Sequence, residues 1–277
     1  MTYTISARIF SDMKNLLSFQ MVGEGDPLIL LHGFTGDAST MMPLGLSLSE
    51  DRTVYSIDLP GHGETGVLED DSLYGFEETI DLLRAFVIDA ELNQVDLLGY
   101  SMGGRIALGF TIRYPELVRK LVLISSSAGL TTKSEREVRR RVDGDLAHQI
   151  LEEGIEVFVD SWMLQPLFAS QQRLDPTIIE KQRQQRLKNS PEGLAASLQG
   201  VGTGSQPSLW NHLESITAET LLVVGEDDSK FRRLAMKMAS GIQKSVIAVI
   251  DEAGHATHLE NLSDTTEVVR SFLGSSE

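Results

Sequence analysis

The sequence predicts an α/β fold, a mostly parallel, doubly wound sheet interrupted by a helical insertion. Three observations predict it. Six short runs are apolar throughout and end near Gly, Pro or Asp. Such runs suit strands covered on both faces, as in a parallel sheet. Helix-length segments separate several of them, which implies right-handed crossovers. This regularity then stops between Leu130 and Trp210.

In chain order, the strand runs are PLILLHG from Pro27, VYSIDLPG from Val54, VDLLGYS from Val95, KLVLISSS from Lys120, TLLVVGEDD from Thr220 and SVIAVID from Ser245. Residues 5–22 are read as an antiparallel edge hairpin turning near Asp12–Asn15. Phe76–Leu92, Met102–Tyr114 and Lys230–Ser240 read as helices, and a last helix runs from about Ser263 to Leu273 with Ser263 or Asp264 as its cap. The irregular stretch holds amphipathic segments such as Glu135–Gly154 and Thr177–Asn189. Residues 131–213 are therefore expected to form a helical lid inserted into a core of residues 1–130 and 214–277, the whole being one domain.

Composition narrows the functional class. The chain has 277 residues, 41% hydrophobic and 23% charged, as in ordinary globular proteins. It has no cysteine, which removes disulfides, thiolate metal sites and cysteine nucleophiles. No window approaches the ~18 uninterrupted apolar residues of a membrane span. The first twenty residues lack the features of a signal peptide, so a cytoplasmic location is expected. A net charge of −16 opposes binding to nucleic acid or anionic membranes. That charge is unevenly spread. Between Thr132 and Leu213 ten basic residues face eleven acidic ones, whereas the rest has fourteen against twenty-nine. A nearly neutral, arginine-rich insert sits on an acidic body, and the ordinary reading of most of those arginines is a solvated helical surface.

Gly99-Tyr100-Ser101-Met102-Gly103 follows an apolar strand and opens a helix. The bare G-x-S-x-G pattern is weak, but in this context it describes a strained strand-to-helix turn that exposes a serine hydroxyl. The helix N-terminus then faces developing negative charge. A serine nucleophile needs a base, and the base needs an orienting acid; on such a sheet the chain order is serine, acid, histidine.

His255 follows Ala253-Gly254 after the last strand, where a loop can carry an imidazole over Ser101. His258 is the rival and is read as a local hydrogen-bonding residue. The acid should follow the preceding strand, which ends in Glu226-Asp227-Asp228. Asp228 is favoured because it lies beyond the turn, Asp227 is the runner-up, and Glu226 is assigned to solvent or to capping. His32 and His62 lie at strand-end turns where this order has no place for a base, so both read as structural. An oxyanion hole needs two backbone N–H donors. Met102, directly after the serine, and Phe34, in the loop His32-Gly33-Phe34, are the candidates.

These motifs (LLHGFTG, DLPGHG, GYSMGGR, GEDDSKF, AGHATHLEN) resemble the α/β-hydrolase superfamily and imply the α/β-hydrolase fold. Taken with AGL followed by ER-x-x-R through Arg139, W-x-x-QPLFASQ from Trp162, R-x-x-RLKN ending at Asn189 and GTGSQPSLW from Gly202, they resemble the 2-succinyl-6-hydroxy-2,4-cyclohexadiene-1-carboxylate synthases of menaquinone biosynthesis. The resemblance runs through nearly the whole chain, and the insert motifs are its more specific part. It implies a cofactor-independent lyase that eliminates pyruvate from an enolpyruvyl cyclohexene carboxylate. It also implies a triad of Ser101, Asp228 and His255, anion-binding Arg105, Arg139 and Arg186, and a pocket lined by Tyr100 and Trp162. Ala128 departs from the pattern, standing where proline would be expected.

The residue chemistry agrees. The implied substrate is a small tricarboxylate, and guanidinium groups bind carboxylates through paired hydrogen bonds. Arg105 follows Ser101 by four residues, one helical turn on the same face. Arg136, Arg140, Arg141 and Arg183 stay with the surface reading, while Trp162 and Phe168 have packing as their default role. Two other classes compete. A carboxylesterase or carbon–carbon bond hydrolase working through an acyl-serine would use the same triad, but a neutral ester needs no cationic cradle. A non-catalytic binding module would not need an intact triad. A dehalogenase would want aspartate at position 101, and His255-x-x-His258 without a third ligand is weak evidence for a metal. Oligomeric state is not legible.

Overall fold

In a computed structural model that describes residues 6–7 and 16–274, the chain forms one eight-stranded sheet flanked by helices. The strands are β1 (Ser6–Ala7), β2 (Phe19–Val22), β3 (Asp26–Leu31), β4 (Arg52–Ile57), β5 (Val95–Tyr100), β6 (Val118–Ile124), β7 (Glu219–Gly225) and β8 (Ser245–Ile250). Their order is β1-β2-β4-β3-β5-β6-β7-β8. β1 and β2 pair antiparallel at one edge, and β3 to β8 run parallel. The strand pair expected in residues 5–22 is present, while its turn near Asp12–Asn15 lies outside the described residues.

The helices are α1 (Ala38–Leu48), α2 (Phe76–Asp89), α3 (Met102–Arg113), α4 (Lys133–Met163), α5 (Pro176–Arg186), α6 (Pro191–Val201), α7 (Ser229–Ala239), α8 (Thr257–Glu260) and α9 (Leu262–Gly274). Side-chain alternation along β3 divides the core. Ile29 and Leu31 face α2 and α3, packing on Ile80, Phe86, Ile106 and Phe110. Leu28 and Leu30 face α1 and α9, packing on Met41, Leu44 and Val269. Both faces are buried, which explains why the strand reads as one apolar run.

Two expectations change, and one helix was not anticipated. α1 is not apparent from the sequence because it carries Pro43 in its interior and Gly45 beyond it; a capping box between Asp37 and Thr40 starts it nonetheless. The cap of α9 is Asn261 rather than Ser263 or Asp264, since its Oδ1 accepts from the Asp264 N–H at 3.2 Å. β8 is apolar but not buried: as the sheet edge it leaves Val246 54% and Val249 44% exposed.

Between β6 and β7 the chain leaves the sheet and builds α4, α5 and α6. The inner faces of α4 and α6 form a separate apolar cluster of Ala147, Ile150, Phe158, Val159, Leu194 and Leu198, against which Phe34 and Trp162 pack. α4 breaks at Gly154 (φ 83°, ψ 171°), a backbone conformation that only glycine adopts cheaply. Insert and core are joined at Thr35, whose carbonyl accepts from Gln185 Nε2 and Asn189 Nδ2 at 3.3 and 3.0 Å. Thr35 itself has φ 67°, so this junction holds a strained residue beside Phe34. Among the described residues, no helix is long and apolar enough to cross a membrane.

Candidate active site

The site is built where β5 turns into α3. Ser101 has φ 51° and ψ −105°, outside the ordinary regions, and the turn is tight enough that its flanking glycines are obligatory. A Cβ on Gly99 would lie 2.4 Å from the Gly103 carbonyl oxygen, and one on Gly103 would lie 2.4 Å from that of Leu31. Neither approach tolerates a side chain. The Gly103 N–H donates to the His32 carbonyl at 3.0 Å, fastening the serine turn to the loop that carries Phe34.

His255 lies in the loop after β8, and Asp228 follows β7. The Ser101 Oγ–H donates to His255 Nε2 at 3.0 Å. His255 Nδ1–H donates to Asp228 Oδ2 at 2.8 Å, which fixes the tautomer that leaves Nε2 free to accept. Both partners are buried, and Phe231 packs on the imidazole with ring centres 4.5 Å apart. Asp228 is held in turn by the Phe231 N–H, 3.1 Å from Oδ1. Asp227 points away and pairs with Arg173 at 2.6 Å. Glu226 is exposed and accepts from the Glu252 N–H at 3.3 Å.

The other histidines do different work. His32 Nε2 accepts from the Leu59 N–H at 3.0 Å, and His62 Nε2 accepts from the Thr35 N–H at 3.3 Å, so both brace the loop beneath Phe34. Burial pushes His62 down to about 3, keeping it neutral. His258 does not hydrogen-bond locally through Nδ1, contrary to expectation. That atom is buried without a partner, and the ring lies 4.5 Å from that of Tyr100. Burial, followed by the nearby His255, lowers His258 to about 3 as well.

Above Ser101 is a cavity of about 270 Å³. Phe34, Tyr100, Met102 and His255 line it from the core, and Trp162 and Phe168 from the insert. No other group of the described chain accepts from the Phe34 or Met102 N–H, so both amides are open to a ligand oxygen. Among the described residues, the cationic groups on the cavity are Arg105, Arg139 and Lys230, and no aspartate or glutamate lines it. Arg105 is buried, and its Nη1 donates to the Val201 carbonyl at 2.8 Å and to Gln206 Oε1 at 2.9 Å. Burial, then repulsion from Arg139, lowers it to about 10, still cationic at neutral pH. Arg139 Nε donates to buried Asp143 at 2.6 Å. The other Asp143 oxygen accepts from the Gly204 N–H at 3.2 Å, so this carboxylate anchors the arginine from behind.

Sequence reasoning therefore missed Lys230 and Asp143. Lys230 stands two residues after the acid in GEDDSKF, which was a usable signal; Asp143 lies among surface-patterned charges and gave none. The structure does not bring Arg186 to this cavity. It lies behind Tyr100 and Phe168, with Nε donating to Thr35 Oγ1 at 3.2 Å and its guanidinium 5.9 Å from the Phe168 ring centre. Arg183 pairs with Asp160 and Glu156 at the surface, as expected of it.

Residues 28–270 match the model of the alpha/beta hydrolase family. A Bacillus subtilis (strain 168) relative, provisionally named a 2-succinyl-6-hydroxy-2,4-cyclohexadiene-1-carboxylate synthase, is 38% identical over 98% of this chain and 99% of its own. The Citrobacter koseri protein of that name is 35% identical over 90% of this chain and 94% of its own. Among solved structures, MenH from S. aureus superposes with a TM-score of 0.88 at 36% identity, covering 92% of this chain and 97% of that one. A thermophilic esterase from Thermogutta terrifontis, solved with malate bound, gives 0.81 at 27% identity, covering 99% of this chain and 98% of that one. The chain belongs to the alpha/beta hydrolase family and, within it, to the 2-succinyl-6-hydroxy-2,4-cyclohexadiene-1-carboxylate synthases.

Proposed function

We propose that this enzyme eliminates pyruvate from 2-succinyl-5-enolpyruvyl-6-hydroxy-3-cyclohexene-1-carboxylate, giving 2-succinyl-6-hydroxy-2,4-cyclohexadiene-1-carboxylate in menaquinone biosynthesis. The observation that carries the reading is the charge of the cavity: Arg105, Arg139 and Lys230 border it with no acidic lining residue among the described residues, on a protein of net charge −16. A tricarboxylate finds there what the rest of the molecule would repel. The reading carries a cytoplasmic location with it.

In this reading Ser101, His255 and Asp228 form the base. The Ser101 proton moves to His255 Nε2, and Asp228 stabilises the resulting imidazolium. Ser101 Oγ then takes the ring proton α to the succinyl ketone. The Phe34 and Met102 N–H groups receive the enolate oxygen, for which amides without an internal partner are already arranged. The electron pair returns through the ring double bond and breaks the carbon–oxygen bond to the enolpyruvyl group. That group leaves as the enolate of pyruvate and is protonated on carbon. No cofactor enters this sequence. Arg105 and Arg139 hold carboxylates during it, while Tyr100 and Trp162 shape the apolar wall.

A second reading, an esterase or carbon–carbon bond hydrolase with an acyl-serine intermediate, uses the same hydrogen-bonded serine and draws on the resemblance to the Thermogutta esterase. One experiment separates the two. Freshly generated substrate is given to the enzyme with a coupled pyruvate assay, and the protein is examined by mass spectrometry during turnover. Pyruvate release from unmodified protein supports the lyase; an acyl adduct on Ser101, with no pyruvate formed, overturns it.

A further inference from the structure

β8 is the outermost strand of the sheet, and its residues, Ser245-Val246-Ile247-Ala248-Val249-Ile250, include no charge and no proline. Edge strands are ordinarily blunted by a lysine, a proline or a bulge, because their outer backbone groups invite another strand to pair. β8 has none of these devices, and its register with β7 runs unbroken from Ser245 to Ile250. Val246, Ile247 and Val249 are all exposed, and by alternation they stand on both faces of the strand.

The backbone shows which groups face outward. The Lys244 and Ile250 carbonyls accept from the Thr220 and Glu226 N–H groups at 2.8 and 2.9 Å, so the even-numbered residues turn theirs toward β7. Ile247 and Val249 therefore turn N–H and C=O away from the sheet, and among the described residues no group satisfies them. This edge is complementary to itself. Antiparallel pairing about a two-fold axis at Ala248 sets Ile247 opposite Val249 of the second copy, two outward-facing residues that exchange hydrogen bonds. Ala248 meets its own counterpart at the axis, where the Cα spacing of about 4.5 Å suits a small side chain. Just beyond the strand, exposed Lys244 falls opposite exposed Glu252, so each end of the pairing sets a cation against an anion. Moving the axis to Ile247 or Val249 would instead face Lys244 with Ile250 or Gly254. Only the register centred on Ala248 matches these charges. Elsewhere the acidic surface, at a net charge of −16, keeps copies apart.

We propose that two copies of this chain associate through their β8 strands, antiparallel about Ala248, joining their sheets into one. No residue of β8 lines the cavity above Ser101, so this interface is separate from the site and independent of the reaction run there.

The test is the association state of the full chain. Sedimentation equilibrium is expected to give twice the protomer mass of 30.5 kDa, with dissociation on dilution. Val249→Lys and Ile247→Lys each install the missing edge charge and should be monomeric while folded by circular dichroism; the pair guards against one of them failing to fold. Lys244→Glu should raise the dimer Kd by roughly tenfold, and adding Glu252→Lys should restore it. Because the chain has no cysteine, Ala248→Cys carries a single thiol. Oxidation with diamide should link it into a covalent dimer, whereas Val138→Cys, equally accessible on α4, should stay unlinked. A wild-type monomer at every concentration would overturn the proposal. So would a dimer that survives both lysine variants, a charge exchange that fails to restore affinity, or a dimer that Ala248→Cys does not cross-link.

Discussion

Asp228 Oδ2 lies 2.8 Å from His255 Nδ1, although Asp227 is its immediate neighbour and equally acidic. The difference is one of direction. Asp227 lies where the chain leaves β7 and turns outward to Arg173, whereas Asp228 is the residue that caps α7 and turns inward. Asp228→Asn is expected to lower kcat by roughly 10³–10⁴-fold through loss of the histidine tautomer. Asp227→Asn should leave it within about twofold, since exposed ion pairs contribute little. Steady-state kinetics on the two variants checks this.

Arg105 is a charged group fixed by two neutral acceptors, which leaves its charge available to a ligand. Arg105→Met should weaken use of the tricarboxylate by roughly 10–100-fold in kcat/KM, the worth of one charge-assisted hydrogen bond. Turnover of a short-chain nitrophenyl ester by the same variant should be nearly unchanged. Equal losses on both substrates would assign Arg105 to structure alone.

The buried histidines give the protein a pH-dependent stability whose sign is fixed. His62 and His258 fall to about 3 in the fold from an ordinary 6.5. Between those values the unfolded chain binds more protons than the folded one, so stability rises with pH there and is lost as the solution is acidified below about 6.5. Asp58, raised to about 6 chiefly by burial, acts oppositely between its ordinary 3.8 and 6. Denaturant titrations from pH 7 to 4 should therefore show the acid slope flatten in His258→Phe and steepen in Asp58→Asn.

Gly154 has open space where a Cβ would be, so only its backbone conformation resists substitution. Gly154→Ala should cost ~1–3 kcal/mol of stability. It should also disturb the C-terminal part of α4, which carries Trp162, and raise KM more than it lowers kcat. Calorimetry and kinetics on one preparation test both statements.

How much of this was legible follows from which forces are local. The buried parallel strands were readable because burial on two faces writes itself as uninterrupted apolar residues, and the serine turn was readable because its glycines are sterically forced. β8 has the same apolar pattern but lies at an edge, a fact that depends on sheet order and not on its own residues. α1 was hidden by Pro43, whose local penalty the packing of Met41, Leu44 and Leu48 overrides. At the site, the serine and histidine were read from motif and Asp228 was favoured over Asp227 from its place beyond the turn, while the direction each carboxylate takes is a relation between distant segments. The position of Arg186 behind Tyr100 and the anchoring of Arg139 by Asp143 are relations between distant segments that no spacing along the chain encodes.

The whole account rests on Ser101 as the atom that accepts the ring proton. The most direct measurement is single-turnover pyruvate release by Ser101→Ala, with product binding measured alongside to verify an intact cavity. The account predicts normal product affinity with release slowed by roughly 10³-fold or more. A Ser101→Ala enzyme that binds product normally and releases pyruvate within about tenfold of the wild-type rate would contradict it, because general-base catalysis contributes more than that.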